Sequence, residues 1–238
     1  MKKIIFIFFV VLYSVPTYAQ DHAGGGVSAN PIGYNIAFAE AYDEKGKPLT
    51  EVNKQVAGSP VLNENWGTGK VKLANGFVLT NADLQFDLFT NQLHFKRNNI
   101  TYAFADALKE FSMEFKDSDQ VRAVTFRSGY PAIKKKTENT FYQLIAGGDK
   151  VQLLNYVSKE IRENYTYMGP VLKEYQLNNA WYVYDIKTGT IQNINLSKTS
   201  LLKALPDFAD AIRLFADSKN YKLKSEKEVI ELFAALNQ

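Results

Sequence analysis

The sequence predicts an α+β fold: a mainly antiparallel β meander or sheet, open or barrel-like, with two to three short C-terminal helices packed on it. Three observations indicate this class. Apolar and polar residues alternate over long stretches between residues 56 and 196, and short turn sequences separate these stretches. After Leu196 the apolar period changes from two to about 3.6, the period of a helix. We expect roughly eight to eleven strands before the helices.

The clearest part of the predicted sheet is a meander over residues 71–104. Asn75-Gly76 lies between two alternating segments and is typical of a two-residue type I′ hairpin turn, which needs positive φ at both positions. The pattern predicts adjacent antiparallel strands. Their apolar members are Val71, Leu73, Phe77, Leu79, Leu84, Phe86, Leu88, Leu93, Phe95, Ile100, Tyr102 and Phe104.

Later segments extend the sheet. Phe111, Met113 and Phe115 are spaced by two, which favours a strand, and a short helix is the alternative. A further strand is expected within 165–175. Two more hairpins are expected, from 141–145 to 151–156 and from 181–186 to 191–196, because turn-forming residues separate their members.

The C-terminal region predicts two or three short helices. The apolar residues Leu201, Leu205, Phe208, Ile212 and Phe215 share one helix face. Pro206 interrupts this series and is expected to begin a second helix, since proline suits a first turn. Ser225 with Glu228 matches a capping box ahead of a last helix.

Residues 1–19 have the pattern of a secretory signal peptide. Lys2 and Lys3 are followed by an apolar stretch over 4–15, and Thr17-Tyr18-Ala19 resembles a small-x-small cleavage site. The apolar stretch is shorter than the roughly 20 residues that a spanning helix needs. A buried N-terminal helix or an uncleaved anchor is the alternative.

The expected organisation follows from this leader. The mature chain would begin at Gln20, with a flexible lead-in over 20–55 and a single β-rich domain over 56–238, whose helical cap covers 197–238. We expect an exported protein of the periplasm or cell surface, with no transmembrane helix in the mature chain.

Composition excludes several chemistries. The 238 residues contain no cysteine and two histidines, so disulfides, thiol nucleophiles, cysteine-ligated metals and a three-histidine metal site are excluded. The formal net charge is +3, and the leader contributes two of the lysines. A nucleic-acid partner is therefore not expected, because such proteins carry a stronger and more clustered positive charge.

The most distinctive segment is 58–71, Gly-Ser-Pro-Val-Leu-Asn-Glu-Asn-Trp-Gly-Thr-Gly-Lys-Val. The Trp66 ring could form the bottom of a binding loop. Alternatively, it could close one end of the sheet while the glycines permit the surrounding turns. This segment, the meander over 71–104 and the tail over 201–237 together resemble an exported bacterial β-rich protein family of unknown function. The resemblance implies an exported β-rich fold and no particular activity.

Other candidate residues also have two interpretations. The aromatic cluster could bind a sugar or an apolar ligand, or could pack in strands. The acidic residues could supply a carboxylate pair for glycoside hydrolysis, with Asp83 and Asp87 on one strand face, or could be solvated. The aromatic residues are Tyr165, Tyr167, Tyr175, Trp181, Tyr182 and Tyr184, and the remaining acids are Glu160, Glu163 and Glu174.

The last candidates are short polar motifs. Gly147-Gly148-Asp149 could be a phosphate loop, but it lacks the P-loop ending and is expected to be a hairpin turn. The lysines of 134–136 could contact an anion, and a solvated loop is the expected alternative. Ser128 lacks the flanking glycines of a nucleophile elbow. His94 could be a catalytic base, but its place opposite Leu93 and Phe95 predicts an exposed strand residue.

The sequence therefore assigns no catalytic, cofactor-binding or metal-ligating residue and implies no cofactor. The leading hypothesis is a non-enzymatic cell-envelope protein that binds an envelope protein or an apolar small molecule. A closed, roomy sheet would favour the small molecule, and an open sheet with an exposed aromatic patch would favour the protein. The alternatives are a carbohydrate-active hydrolase that uses two carboxylates and a purely structural envelope subunit.

Overall fold

The computed structural model describes residues 56–165 and 170–238, together with the backbone of three short strands nearer the N-terminus. The predicted signal peptide over 1–19 lies outside the described residues, as does most of the predicted lead-in over 20–55. Tyr167 of the aromatic cluster also lies outside them.

The described strands cover most of the chain ahead of the helices. In order they are β1 Val27–Ser28, β2 Asn35–Ile36, β3 Phe38–Glu40, β4 Val56–Ala57, β5 Gly67–Leu73, β6 Val78–Asp87, β7 Gln92–Arg97, β8 Ile100–Phe104, β9 Leu108–Asp117, β10 Gln120–Arg127, β11 Tyr142–Ala146, β12 Val151–Asn164, β13 Leu172–Asp185 and β14 Thr190–Ile194.

All of these strands except β1 and β2, which pair with each other, belong to one 12-stranded sheet. Its order is β14-β13-β12-β11-β10-β9-β5-β6-β7-β8-β3, and β4 pairs in parallel with β13. The other pairs are antiparallel, so the predicted fold class is confirmed, with the sheet open. The chain forms β5 to β8 as a meander and then returns, so that β9 pairs with the free side of β5.

The sheet curls around an aromatic core. The Leu88 carbonyl at the end of β6 accepts a hydrogen bond from the Lys159 amide of β12, at 3.1 Å. Inside this curl the ring of Phe86 lies 5.1, 4.7 and 5.9 Å from the rings of Phe111, Phe126 and Phe141. The other buried members are Val71, Leu73, Leu84, Leu88, Leu93, Phe95, Met113, Phe115, Val124 and Val157.

Three α-helices form the C-terminal region: α1 Lys198–Ala204, α2 Ala209–Lys219 and α3 Glu226–Leu236. They pack on β11, β12 and β14, and their buried residues join Val151, Leu153 and Val183 of the sheet in a second core. The Ser225 hydroxyl accepts a hydrogen bond from the Glu228 amide, as the capping box predicts. Pro206 begins a 3-10 turn, Pro206–Phe208, and the second helix starts after it.

The predicted helical face is only partly buried. Leu201, Leu205 and Ile212 have no exposed surface, whereas Phe208 and Phe215 are half-buried. Phe208 belongs to the 3-10 turn itself, whose winding is tighter than that of the continuous helix that the spacing assumes.

Asn237 joins the end of the chain to the turn between β11 and β12. Its side-chain oxygen accepts hydrogen bonds from the amides of Lys150 and Val151, at 2.9 and 3.1 Å. Its side-chain nitrogen donates to the carbonyls of Val151 and Phe233. A Cβ atom at Gly148 would overlap the Asn237 side chain, so the glycine makes this contact possible.

The turn between β5 and β6 differs from the predicted type I′ turn. Gly76 has φ of 90°, but Asn75 is not among the residues with positive φ. The Gly76 amide donates to the Leu73 carbonyl, and the Leu73 amide donates to the Phe77 carbonyl. The loop therefore has three residues and ends in a left-handed glycine, as hairpins with a G1 bulge do.

Replacing Gly76 with valine is expected to destabilise the protein by about 1–2 kcal/mol, because a β-branched residue strongly disfavours positive φ. Thermal unfolding measures the loss. Ala74→Val is the matched control, since Ala74 is exposed in the same loop and lies outside the positive-φ set. Equal losses in the two variants would contradict the assignment of this turn.

Candidate functional site

The segment from Gly58 to Trp66 lies over the ends of β6 and β12. The Lys159 ammonium donates to the carbonyls of Ser59 and Val61, both at 2.7 Å. The Gln85 side chain of β6 donates to the carbonyls of two further loop residues, Asn63 and Glu64. The backbone of the loop also pairs with the end of β6, because the Leu62 amide donates to the Phe86 carbonyl and the Leu88 amide donates to the Pro60 carbonyl.

Trp66 packs on the neighbouring strand. The Lys96 ammonium of β7 lies 4.5 Å from the centroid of the Trp66 ring, within the range of a cation–π interaction. The ring is partly buried. One of its faces is therefore taken by a side chain of the same protein.

Asp87 is buried and closes a turn. Its carboxylate accepts hydrogen bonds from the amides of Phe89 and Thr90, at 2.8 and 3.0 Å. Asp83, its proposed partner in a hydrolytic pair, is exposed. Four residues along a strand separate the two by about 13 Å, whereas the carboxyls of glycosidases lie about 5–10 Å apart.

His94 is buried, so the expectation of an exposed strand histidine is wrong. It does lie on the face opposite Leu93 and Phe95, as the alternation predicts. Gln85 lies directly opposite His94 in the β6–β7 ladder, and its side chain donates to the carbonyls of Asn63 and Glu64. The ring is 4 % exposed, and its Nε2 atom has no hydrogen-bond partner.

Burial lowers the pKa of His94 from the usual 6.5, and the nearby Asp87 carboxylate only partly opposes this effect. The folded protein therefore holds the ring neutral, whereas the unfolded chain protonates it near its usual pKa. The contribution of His94 to the free energy of unfolding is therefore complete at pH values above the unfolded-state pKa. It is lost as the pH falls from that pKa toward the lower pKa of the folded state.

We therefore expect acid to destabilise the protein through His94. Between about pH 7 and pH 5, the free energy of unfolding should fall by up to about 1.4 kcal/mol per pH unit from this residue. Denaturant unfolding at several pH values measures the slope. In a His94→Gln variant the slope should be smaller. An unchanged slope would mean that other groups cause the acid sensitivity.

The tyrosine-rich face of β11 to β13 lies on the side of the sheet away from the helices. The ring of Tyr142 is fully buried and contacts Tyr130, Tyr156 and Tyr182 at 5.2 to 5.8 Å. The hydroxyl of Tyr130 donates to the Gln152 side chain, and burial raises the pKa of Tyr130 to about 12. These tyrosines pack as a third core.

The lysines of 134–136 do not act as one charged patch. Lys134 and Lys135 are exposed, but the Lys136 ammonium lies 4.1 Å from the centroid of Tyr156. The backbones of Ile133 and Lys136 exchange two hydrogen bonds of 3.0 Å, which form a tight turn. Lys136 thus fastens its loop to the tyrosine-rich face.

The remaining sequence candidates take part in local structure. Glu163 forms an ion pair with Lys173 at 2.8 Å and accepts a hydrogen bond from the Tyr165 hydroxyl, and these contacts lower its pKa. Glu174 accepts a hydrogen bond from Asn164, and Glu160 is exposed. Separately, Gly147-Gly148-Asp149 lies in the β11–β12 turn, and the Ser128 hydroxyl donates to the Leu108 carbonyl.

A groove of about 470 Å³ lies on the outer face of β5, β6, β9 and β10. No local sequence pattern marks it, because its lining residues come from strands that pair across long sequence separations. The lining includes Thr68, Lys70, Thr80, Ser112, Glu114 and Thr125 together with Met113 and Val124, and no aromatic residue belongs to it. It therefore lacks the stacking platform that sugar-binding sites use.

The most unusual surface is the projecting end of the β12–β13 hairpin, residues 159–164 and 172–177, which we call the arm. β11 pairs with β12 only up to Asn155, and β14 pairs with β13 only from Trp181, so the arm extends beyond both neighbours. The exposed large apolar residues on or beside the arm are Phe89, Ile161, Tyr165, Val171, Leu172 and Leu177.

One face of the arm has a group of apolar side chains between Lys159 on one side and the Glu163–Lys173 ion pair on the other. Ile161 lies opposite Tyr175, and Leu177 is two residues further along β13, on the same face. The ring of Phe89 meets that of Tyr175 at 5.6 Å in an edge-on contact. Leu177 is 52 % exposed and Phe89 is 47 % exposed.

Comparisons with known proteins add no assignment, since no protein-family model, curated protein or solved structure matches the chain. Within residues 56–165 and 170–238, no helix is long and apolar enough to cross a membrane. No group of three potential metal-ligating His, Asp or Glu side chains occurs among the described residues either.

Proposed function

We propose that this chain is an exported, non-enzymatic cell-envelope protein that binds another protein through the arm. The observation that carries the proposal is the exposed apolar face formed by Phe89, Ile161, Tyr175 and Leu177. Soluble proteins rarely leave contiguous apolar surface exposed unless it takes part in an interaction. Aromatic and aliphatic side chains of this kind supply most of the binding energy in protein interfaces.

A protein partner is better supported than an apolar small molecule. The sheet is open, and four phenylalanine rings fill the space inside its curl at centroid distances of 4.7 to 5.9 Å. A carrier would need an apolar cavity of several hundred Å³, about 300–1,000 Å³ for a drug-sized ligand. The groove described above lies on the outside of the sheet and has a mixed lining of polar and apolar residues.

The two alternatives have less support. A hydrolase needs two carboxyls in one cleft beside an aromatic platform, but Asp83 and Asp87 differ in exposure and Glu163 is held by Lys173. A purely structural subunit would need no projecting apolar arm. We therefore place both alternatives behind partner binding.

The binding proposal is tested by gentle extraction of the tagged protein from its own host, followed by native mass spectrometry. The wild type is expected to retain a protein partner. Phe89→Ser should release it, because this change removes a central apolar contact of the arm. Leu214→Ser is the control, since Leu214 is 73 % exposed on α2, far along the chain from the arm. Retention of neither protein nor lipid by the wild type would remove the basis of the proposal.

The export proposal has its own test. Intact-mass measurement of protein recovered from the cell envelope should show a chain that begins at Gln20 or within about two residues of it, because Ala19 ends the best cleavage triplet. Recovery of exported protein that still carries residues 1–19 would contradict the secretory interpretation.

A further inference from the structure

We propose that the outer edge of β13 between β4 and β14 binds an extended strand of the partner protein. This inference rests on the proposed function and names the way in which the partner binds. β4 pairs with β13 only at Lys173 and Glu174, and β14 pairs only from Trp181 onward. Among the described residues, the intervening 175–180 have a strand neighbour on the β12 side alone.

The gap has the length of a short strand. Six residues of β-strand span about 20 Å, which matches the usual length of strands in globular proteins. Gly58, with φ of 81°, turns the chain away directly after β4, and the segment that follows crosses to Lys159 instead of continuing along β13. Among the described residues, none therefore pairs with this edge directly beyond β4.

One hydrogen bond establishes which backbone groups face this edge. The Lys159 amide donates to Leu88 and so points away from β13. Lys159 lies directly opposite Leu177, so these two residues form a non-hydrogen-bonded pair of the antiparallel ladder. The amide and carbonyl of Leu177 therefore also point away from β12, toward the open edge.

The same orientation recurs at every second residue. Tyr175 and Asn179 accordingly also direct their amides and carbonyls toward the edge. Trp181 has the same phase, and its carbonyl accepts a hydrogen bond from the side chain of Asn193 in β14, on the expected side. The parallel register with β4 pairs the Tyr175 amide with Ala57, so the edge offers the amides of Leu177 and Asn179 and the carbonyls of all three residues to an added strand.

The sequence of the gap lacks the usual protection of an edge strand. Natural edge strands carry charges, proline or bulges that discourage pairing with other chains. Residues 175–180 read Tyr-Gln-Leu-Asn-Asn-Ala, without charge, proline or glycine, and their ladder with β12 is regular. The charged residues Lys173 and Glu174 stand where β4 already covers the edge.

The two faces beside the edge specify the chemistry of the added strand. Tyr175 and Leu177 lie on the apolar face of the arm, whereas Gln176 and Asn178 lie on the opposite, polar face. A strand that pairs with this edge continues both faces. The partner segment is therefore an extended peptide of about five or six residues in which apolar and polar side chains alternate.

The test measures amide hydrogen exchange by NMR, with the acetylated peptide Lys-Thr-Val-Thr-Val-Thr-Val-Lys as the probe. In the free monomer, the amides of Leu177 and Asn179 should exchange faster than that of Asn178, which faces β12. The peptide should slow exchange at the amides of Leu177 and Asn179.

Asn179→Pro should weaken peptide binding about tenfold or more, because proline removes one outward donor and is tolerated at a strand edge. Leu177→Lys should also weaken it, and Leu214→Lys should not.

Each other outcome overturns the strand mode. Protection of Leu177 and Asn179 in the free monomer would mean that the chain covers its own edge. Protection that grows with protein concentration alone would mean pairing between copies. No slowing at about 1 mM peptide, or equal binding to Asn179→Pro, would mean that the edge is not the site. A host partner that is lost with Phe89→Ser but kept with Asn179→Pro would leave the proposed function intact and overturn only this inference.

Discussion

Phe86→Ala is expected to remove about 3–5 kcal/mol from the free energy of unfolding, a large part of the roughly 5–15 kcal/mol that stabilises a typical domain. Phe86 has no exposed surface, and its ring contacts Phe111, Phe126 and Phe141. Truncation leaves a cavity at the centre of this group, and β6, β9 and β10 are too firmly paired to close it. Denaturant unfolding followed by tryptophan fluorescence measures the loss.

Phe89→Ala is the matched control for this variant. Phe89 is three residues further along the chain and is 47 % exposed, with an edge-on contact to Tyr175 as its ring partner. Its truncation should cost less than about 1 kcal/mol, as is usual for exposed positions and single ring contacts. Similar losses in the two variants would mean that the aromatic core is not the main source of stability in the curled sheet.

Phe233→Ala is expected to have the second largest effect, also about 3–5 kcal/mol. Phe233 of α3 is fully buried in the core that the helices share with Val151, Leu153 and Val183. If the helices and the sheet form one cooperative unit, this variant should lower the unfolding midpoint of the sheet as well as that of the helices. Far-ultraviolet circular dichroism and tryptophan fluorescence should then show one coincident transition.

Leu214→Ala is the control, because Leu214 is on α2 but 73 % exposed. It should change the midpoint little. Two separate transitions in Phe233→Ala, with the sheet melting as in the wild type, would contradict the single-domain expectation for 56–238. The helices would then be a separate unit, and the apolar surface relevant to binding would have to include the face that they cover.

The local features of this fold could be predicted from the sequence. Alternation placed Phe111, Met113 and Phe115 on one buried strand face, and all three are buried in β9. The capping box at Ser225 marked the start of α3 correctly. Both signals depend on residues within a few positions of each other, where strand pleating and helix capping follow directly from residue type.

The features that could not be predicted from the sequence depend on contacts between residues that are far apart in the chain. The return of β9 to β5 joins two strands that three others separate in the chain, and no local pattern specifies it. His94 shows the same limit at the level of one residue. Alternation gave its face correctly, but the burial of His94 depends on its surroundings in the folded chain, which no pattern near residue 94 specifies. The open edge of β13 likewise depends on where β4 and β14 stop.

The hydrogen bonds of Asn237 to the β11–β12 turn form only late in the synthesis of the chain. The amides of Lys150 and Val151 leave the ribosome 87 and 86 residues before the side chain that accepts their hydrogen bonds. At translation rates of about 5–20 residues per second, that interval lasts roughly 4–17 s. For those seconds the β11–β12 turn of a nascent chain lacks these two hydrogen bonds. A chaperone or a second chain has access to the turn during this interval.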